Sequence, residues 1–277
     1  MKLKKKLKPK LINELIDIKE SRGDILSFSQ NYLVNLFERH EFVSNILENY
    51  KKKKLKGSKT VYIGVGLYLS SLVTCWETFF RDVFVFICNV DTNIKEKVLK
   101  FLEEKNISEK ELTEKGLSVE DFMSKQFNFQ DLNDTCRAFN FLFDETKEKI
   151  TDYLYEVIDK TPLCFYSPNA ILLWMQEKED LSVKIFDVLQ EAFEIRHKVS
   201  HDANYLFKFR PEQMTFIEDC FFVFPQLFSI FISIKYNHKM IVTVGDNLIA
   251  LTSEINENNY PVIFSSRDFE AKWYIVD

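Results

Sequence analysis

The chain carries little glycine and little proline, six of each in 277 residues, and they nowhere cluster. That scarcity excludes a repetitive β-sandwich punctuated by glycine-rich turns, and equally a disordered linker protein. Cysteine is sparse as well. Cys75, Cys88, Cys136, Cys164 and Cys220 are odd in number and show no CxxC spacing, which argues against a disulfide framework or a thiolate metal site. Four of them lie in apolar stretches and read as small core residues in a reducing compartment. The opening MKLKKKLKPK is charged but is not followed by an apolar segment, so no secretory signal is expected. HExxH is absent, and His40 and His238 have no diagnostic spacing.

Neither charge sign dominates strongly. Against 42 acidic residues stand 37 basic ones, a net charge of −5, which excludes a bulk electrostatic coat for nucleic acid. Two basic runs, the first ten residues and Lys51 to Lys54 with Lys56, read as solvated faces or frayed ends, with phosphate contact as the functional alternative. Two uncharged stretches invite a membrane reading. Thr60 to Trp76 is interrupted by Gly64, Gly66, Ser70, Ser71 and Thr74 and ends at Glu77. Cys220 to Ile234 is shorter than a spanning helix and carries Pro225 and Gln226. Both are better suited to buried core helices, so no membrane partner is expected and the location is read as cytoplasmic.

What the sequence does have is aromatic bulk: 27 Phe and 11 Tyr in a chain that is 46% hydrophobic, enough for a sizeable core. Apolar residues at helical spacing (Leu11, Leu15, Ile18; then Leu33, Leu36, Phe37) predict helices over residues 11–50, broken near Ser21-Arg22-Gly23-Asp24. A Lys-rich loop ends at Gly57, and a long helix is expected from Val61 to Cys88, with Glu77 and Arg81 placed for an i,i+4 pair. Residues 91–127 hold two capping boxes, Ser108-x-x-Glu111 and Ser118-x-x-Asp121, and read as an inserted pair of small helices. One helix is expected over residues 130–158, and Thr161-Pro162 and Ser167-Pro168 each read as a helix start, the second leading a short helix through Trp174. Further helices are predicted from Leu181 to Val199 and from Pro211 to Asn237. Beyond Met240 the pattern changes: β-branched residues around Gly245-Asp246-Asn247 suggest a hairpin, and Trp273 to Val276 a strand.

The helix from Leu181 carries the chemistry. Its apolar stripe is Leu181, Ile185, Val188, Leu189, Ala192, Phe193 and Val199, and at about 100° per residue Arg196 falls within it. Burying an unpaired guanidinium is very unfavourable, so either a carboxylate such as Glu77 or Glu191 meets it, or the stripe opens onto an interface or pocket. His201 follows five residues on and would point roughly 140° away from Arg196 if the helix continued. The two can then cooperate in one chain only if the helix ends or bends near Ser200; otherwise they cooperate across a symmetric pair of chains. His197 and His201, at i,i+4, also allow a metal-binding reading with Asp202. Trp76, Trp174 and Phe221-Phe222-Val223-Phe224 read as core rather than as a base-stacking platform.

Arg196-His197-Lys198-Val199-Ser200-His201 resembles the signature of the HEPN superfamily, an arginine, a polar residue, three further residues and a histidine. His197 stands where such motifs commonly have Asn. Upstream, Tyr68 to Asp82 (YLSSLVTCWETFFRD) resembles the first core helix of the RiboL-PSP-like HEPN group, and Ser167-Pro168-Asn169-Ala170-Ile171 the short element before the motif helix. The likeness covers residues 60–90 and 160–240 and leaves 1–57, 91–127 and 240–277 unexplained.

It implies an all-α, HEPN-like bundle, to which the sequence pattern adds helical insertions and a small C-terminal β element as an expectation. The expected organisation is a helical extension over 1–57, the core over 58–238 with its insertion at 91–127, and an extension over 239–277. The implied activity is metal-independent endoribonuclease cleavage of cellular RNA, as in toxins and phage-defence effectors, with no cofactor, by a homodimer under a regulatory protein partner. A non-catalytic module binding RNA or protein is the alternative. Histidine exchanges protons near neutrality and arginine's fork matches two phosphate oxygens. His201 is thus assigned as acid–base residue, Arg196 as phosphate stabiliser, His197 as orienting residue and Glu77 as a supporting contact.

Overall fold

The computed structural model describes residues 7–21, 23–53, 59–158, 160–165, 170–176, 180–244, 247–251 and 260–269. The chain is predominantly helical, and among the described residues its C-terminal half forms two short two-stranded sheets. Helices α1 (Pro9–Ser21) and α2 (Phe28–Lys52) are separated by a single 3₁₀ turn, Ile25–Ser27, capped by the Asp24 side chain. The break in the helix expected near Ser21-Arg22-Gly23-Asp24 falls between α1 and this turn. Then come α3 (Lys59–Val90), α4 (Thr92–Glu103), α5 (Glu109–Thr113), α6 (Val119–Ser124), α7 (Leu132–Phe143) and α8 (Tyr155–Ile158). The C-terminal half adds β1 (Cys164–Phe165), α9 (Ala170–Gln176), α10 (Leu181–His201), α11 (Pro211–Tyr236), β2 (Met240–Val244), β3 (Asn247–Leu251) and β4 (Val262–Ile263).

Two compact units emerge, one from residues 1–28 with 77–150, the other from 29–76 with 151–277, so the long helix α3 supplies residues to both. In the first unit, Phe80 meets Phe139 edge-on at 5.7 Å and Phe84 packs on Phe127 at 5.5 Å. Both serines cap their helices as expected, Ser108 accepting from the Glu111 amide and Ser118 from that of Asp121. The expected pair of helices in this segment is nevertheless three, because Asp91 caps a further helix, α4, by accepting from the amides of Asn93 and Ile94.

The single helix expected over 130–158 is also corrected. Helix α7 stops at Phe143, where Asp144 takes a left-handed conformation at φ 57°. Asn140 then holds the departing chain at two points, its side-chain amide donating to the Lys147 carbonyl at 2.8 Å and its oxygen accepting from the Lys147 amide at 3.2 Å. No glycine or proline marks this break, so periodicity alone ran through it.

In the second unit, Thr161-Pro162 opens no helix. A residue before proline is biased towards extended backbone, and the chain runs on into β1, which pairs in parallel with β4. Ser167-Pro168 and the tail 273–276 lie outside the described residues. The predicted hairpin is present, β2 and β3 pairing antiparallel with Met240 opposite Leu251.

Helix α11 is the spine of this unit, and the most apolar stretch of it is 94% buried. It stays helical through Pro225. Proline has no N–H to give the carbonyl four residues back, that of Phe221, and the buried Tyr32 hydroxyl of α2 donates to that carbonyl instead. The neighbouring Gln226 is equally occupied, its amide donating to the Phe264 carbonyl at 2.9 Å and its oxygen accepting from the Phe264 amide at 3.1 Å. Trp76 stacks on Phe224 at 5.4 Å and meets Phe193 and Phe221 edge-on, so the aromatic run is core, as expected.

Candidate functional site

Helix α10 starts at an Asp180 cap and remains helical through His201, where Asp202 ends it. Its buried residues are Leu181, Ser182, Ile185, Phe186, Leu189, Ala192 and Ile195. Val188, Phe193 and Val199 of the expected stripe are only half-buried, while Ser182, Phe186 and Ile195 join the buried face. Arg196 lies within the inward arc near the end of the helix and is half-buried, while His197 and His201 are exposed.

The helix therefore does not end at Ser200, and no bend draws Arg196 and His201 together. One turn apart, His197 and His201 lie ring to ring with centroids 4.5 Å apart. Arg196 points to the other side of the helix, roughly 140° from His201. Glu77 is engaged elsewhere: it accepts from Arg81, as its spacing predicted, and from the Gln130 amide, both within the first unit. Glu191 accepts from Gln213 of α11 at 2.7 Å. Among the described residues, no group of three or more His, Cys, Asp or Glu is placed to hold a metal ion, so Asp202 joins the two histidines in no such cluster. Its carboxylate instead accepts from the Asn204 amide at 2.8 Å.

The end of α10 is fixed by a close approach. A Cβ placed on Gly66 of α3 would come within 3.0 Å of a Val199 methyl, so glycine there lets the two helices touch between His197 and His201. On another face of α10, the connector to α11 leaves a groove of about 420 Å³. Glu191, Glu194 and Lys198 form its α10 wall, and Tyr205, Lys208 and Gln213 close it opposite. The Lys198 ammonium lies 6.0 Å from the centre of the Tyr205 ring.

A second polar cluster escaped sequence reasoning. His40 of α2, Tyr68 of α3 and Glu218 of α11 meet in the core, His40 being 2% exposed and Glu218 fully buried. Glu218 Oε1 lies 3.0 Å from His40 Nδ1 and accepts from the Tyr68 hydroxyl at 2.5 Å. Burial and the adjacent Glu218 carboxylate push the Tyr68 hydroxyl pKa well up, so it stays a donor. The signal that was available is the pair Glu218-Asp219 at the head of an otherwise uncharged run. Asp219, also fully buried, accepts from the Ser266 hydroxyl at 2.6 Å.

Set against protein-family models, curated proteins and solved structures, the chain matches none of them.

Proposed function

We propose that the chain is a metal-independent endoribonuclease of HEPN type, acting on cellular RNA as a toxin or phage-defence effector. The observation that carries the reading is the Arg196-to-His201 motif at the exposed end of a helix whose inner face is core. His201 is open to substrate and has the chemistry to take the proton of a ribose 2′-hydroxyl or to protonate the departing 5′-oxygen. Arg196 supplies a fork of donors for the phosphate oxygens as charge builds on phosphorus. His197, in ring contact with His201, orients it. Attack of the 2′-oxygen on phosphorus breaks the bond to the 5′-oxygen, leaving a 2′,3′-cyclic phosphate and a 5′-hydroxyl.

Because α10 stays helical through His201, the working site in this reading is composite. A two-fold pair of protomers brings the histidine of one to phosphate held by the arginine of the other. A regulatory protein partner belongs to the same proposal.

The test is complementation. Arg196→Ala and His201→Ala proteins, each inactive alone, are mixed under subunit exchange and incubated with total RNA in EDTA. Recovered cleavage with cyclic-phosphate ends supports the composite site. A protein that is fully active as a monomer overturns the pairing, and cleavage retained by His201→Ala overturns the assignment altogether. Binding of RNA without any cleavage by the wild type favours a non-catalytic module.

A further inference from the structure

The groove beside the motif has a chemical order along it. Glu194 and Lys198 line the groove, and His201, three residues past Lys198, lies on the same helical face beyond the groove's lining, so carboxylate, ammonium and imidazole follow in order. Tyr205 stands opposite, half-buried, with the Lys198 ammonium 6.0 Å from the centre of its ring. Lys208 adds a second cation at the rim. An ionised carboxylate only accepts hydrogen bonds, whereas lysine only donates them. A ligand matching this order has an anionic group, a flat aromatic body and an edge rich in donors.

Resting on the ribonuclease reading above, we infer that this groove is a nucleotide subsite selective for guanine, seating the nucleotide next to the bond that is cut. Guanine is the one common base whose pairing edge places two neighbouring donors, N1–H and N2–H, where the two oxygens of one carboxylate can both accept. Adenine and cytosine offer a single exocyclic amine beside an acceptor, and an acceptor facing Glu194 is repelled. Uracil offers one N–H between two carbonyls. The base stacks on Tyr205, displacing the Lys198 ammonium onto the nucleotide's phosphate; such stacking itself tolerates any base. Glu194 is the group that reads it, its Oε1 held by the Gln190 amide at 3.3 Å. Glu191, tied to Gln213, closes the inner end of the groove.

The experiment has two independent arms. In the first, the full-length protein is titrated with guanosine, adenosine, cytidine and uridine 5′-monophosphates by calorimetry, with no cleavage required. Guanosine monophosphate is expected to bind at least tenfold more tightly than the other three. Glu194→Gln, an exposed and conservative change, removes that preference, and Tyr205→Ala weakens all four. In the second arm, the ends of cleaved RNA are sequenced, and guanosine is expected to flank the cut in the wild type but not in Glu194→Gln.

Equal affinity for the four nucleotides, or selectivity unchanged in Glu194→Gln, overturns the subsite. RNA cut by a His201-dependent activity with no base preference also overturns it, while leaving the ribonuclease reading intact. Selective guanosine monophosphate binding lost in Glu194→Gln, with RNA left uncut, supports the groove and removes the ribonuclease reading instead.

Discussion

His40 and His201 are the same side chain in opposite surroundings. His40 lies in the core, 2% exposed, with its ring nitrogens facing Glu218 and Ser44 and the Tyr68 hydroxyl nearby. His201 ends α10 in solvent, touching the ring of His197. The first is held by groups from three helices; the second, among the described residues, meets the ring of His197 alone. A buried polar group is stabilising only while its partners are complete, because desolvation has already been suffered. An exposed imidazole is free to exchange protons and costs the fold little when removed. His40 is thus the structural histidine, and His201 is the one to which the proposed function assigns the chemistry.

The largest expected effect comes from stranding the buried cluster. Glu218→Ala removes the acceptor shared by His40 and Tyr68, and stability should fall by about 3–5 kcal/mol, the range for breaking a buried hydrogen-bonded pair. Urea unfolding measures it. His201→Ala, by contrast, should change stability by no more than about 0.5 kcal/mol. In the proposed function the order reverses for activity: RNA cleavage falls by about 100-fold or more in His201→Ala, the usual loss on removing a general acid–base group. Equal stability losses in the two variants would break the distinction.

A second pair of substitutions probes how the exposed end is held. Gly66→Ala gains about 1 kcal/mol of helix propensity. Crowding against Val199, typically costing about 1–3 kcal/mol, should outweigh it. The net expectation is a loss of about 1 kcal/mol that Val199→Ala suppresses, read as a double-mutant cycle in thermal unfolding. Additive losses would show that the contact does not position the end of α10. Of similar size, Tyr32→Phe should cost about 1 kcal/mol, since it leaves the Phe221 carbonyl below Pro225 without its side-chain donor.

The smallest effect sharpens the contrast between dry and wet regions through thiols. Cys75, Cys88, Cys136 and Cys220 are buried and Cys164 is exposed. Burial pushes Cys75 up to about 11 from its ordinary 9, so it stays a thiol at neutral pH. Iodoacetamide at pH 8 should therefore label Cys164 within minutes and the other four only on unfolding. The sign for stability follows. A thiol whose pKa is raised in the folded state contributes stability that is complete below pH 9, and this is lost as pH climbs through about 11. Rapid labelling of Cys75 in the native protein would contradict its burial.

Much of the helical framework was legible because its determinants are local. Ser108 and Ser118 cap helices whose first turns follow within three residues, and the inward face of α10 repeats at helical spacing. The motif from Arg196 to His201 could likewise be read directly, as could the pair Glu77–Arg81 one turn apart. Where the expectation failed, the cause lay in contacts that periodicity does not record. Helix α7 ends because Asn140 can grip the backbone of Lys147, and Thr161-Pro162 runs extended into a strand whose partner is about a hundred residues away.

By itself, then, the sequence determined most of the helical segments, which faces are apolar and where histidine and arginine side chains fall along α10. All of these depend on neighbours three or four positions apart. Only the tertiary structure decided which buried polar groups complete one another. His40 finds Glu218 across 178 residues, Tyr68 finds it across 150, and Tyr32 reaches Phe221 across 189. It also decided that α10 runs on through His201, turning that histidine towards His197 and away from Arg196. The physical reason is that a hydrogen bond in the core gains its worth from the exclusion of water, and water is excluded only once distant helices have packed.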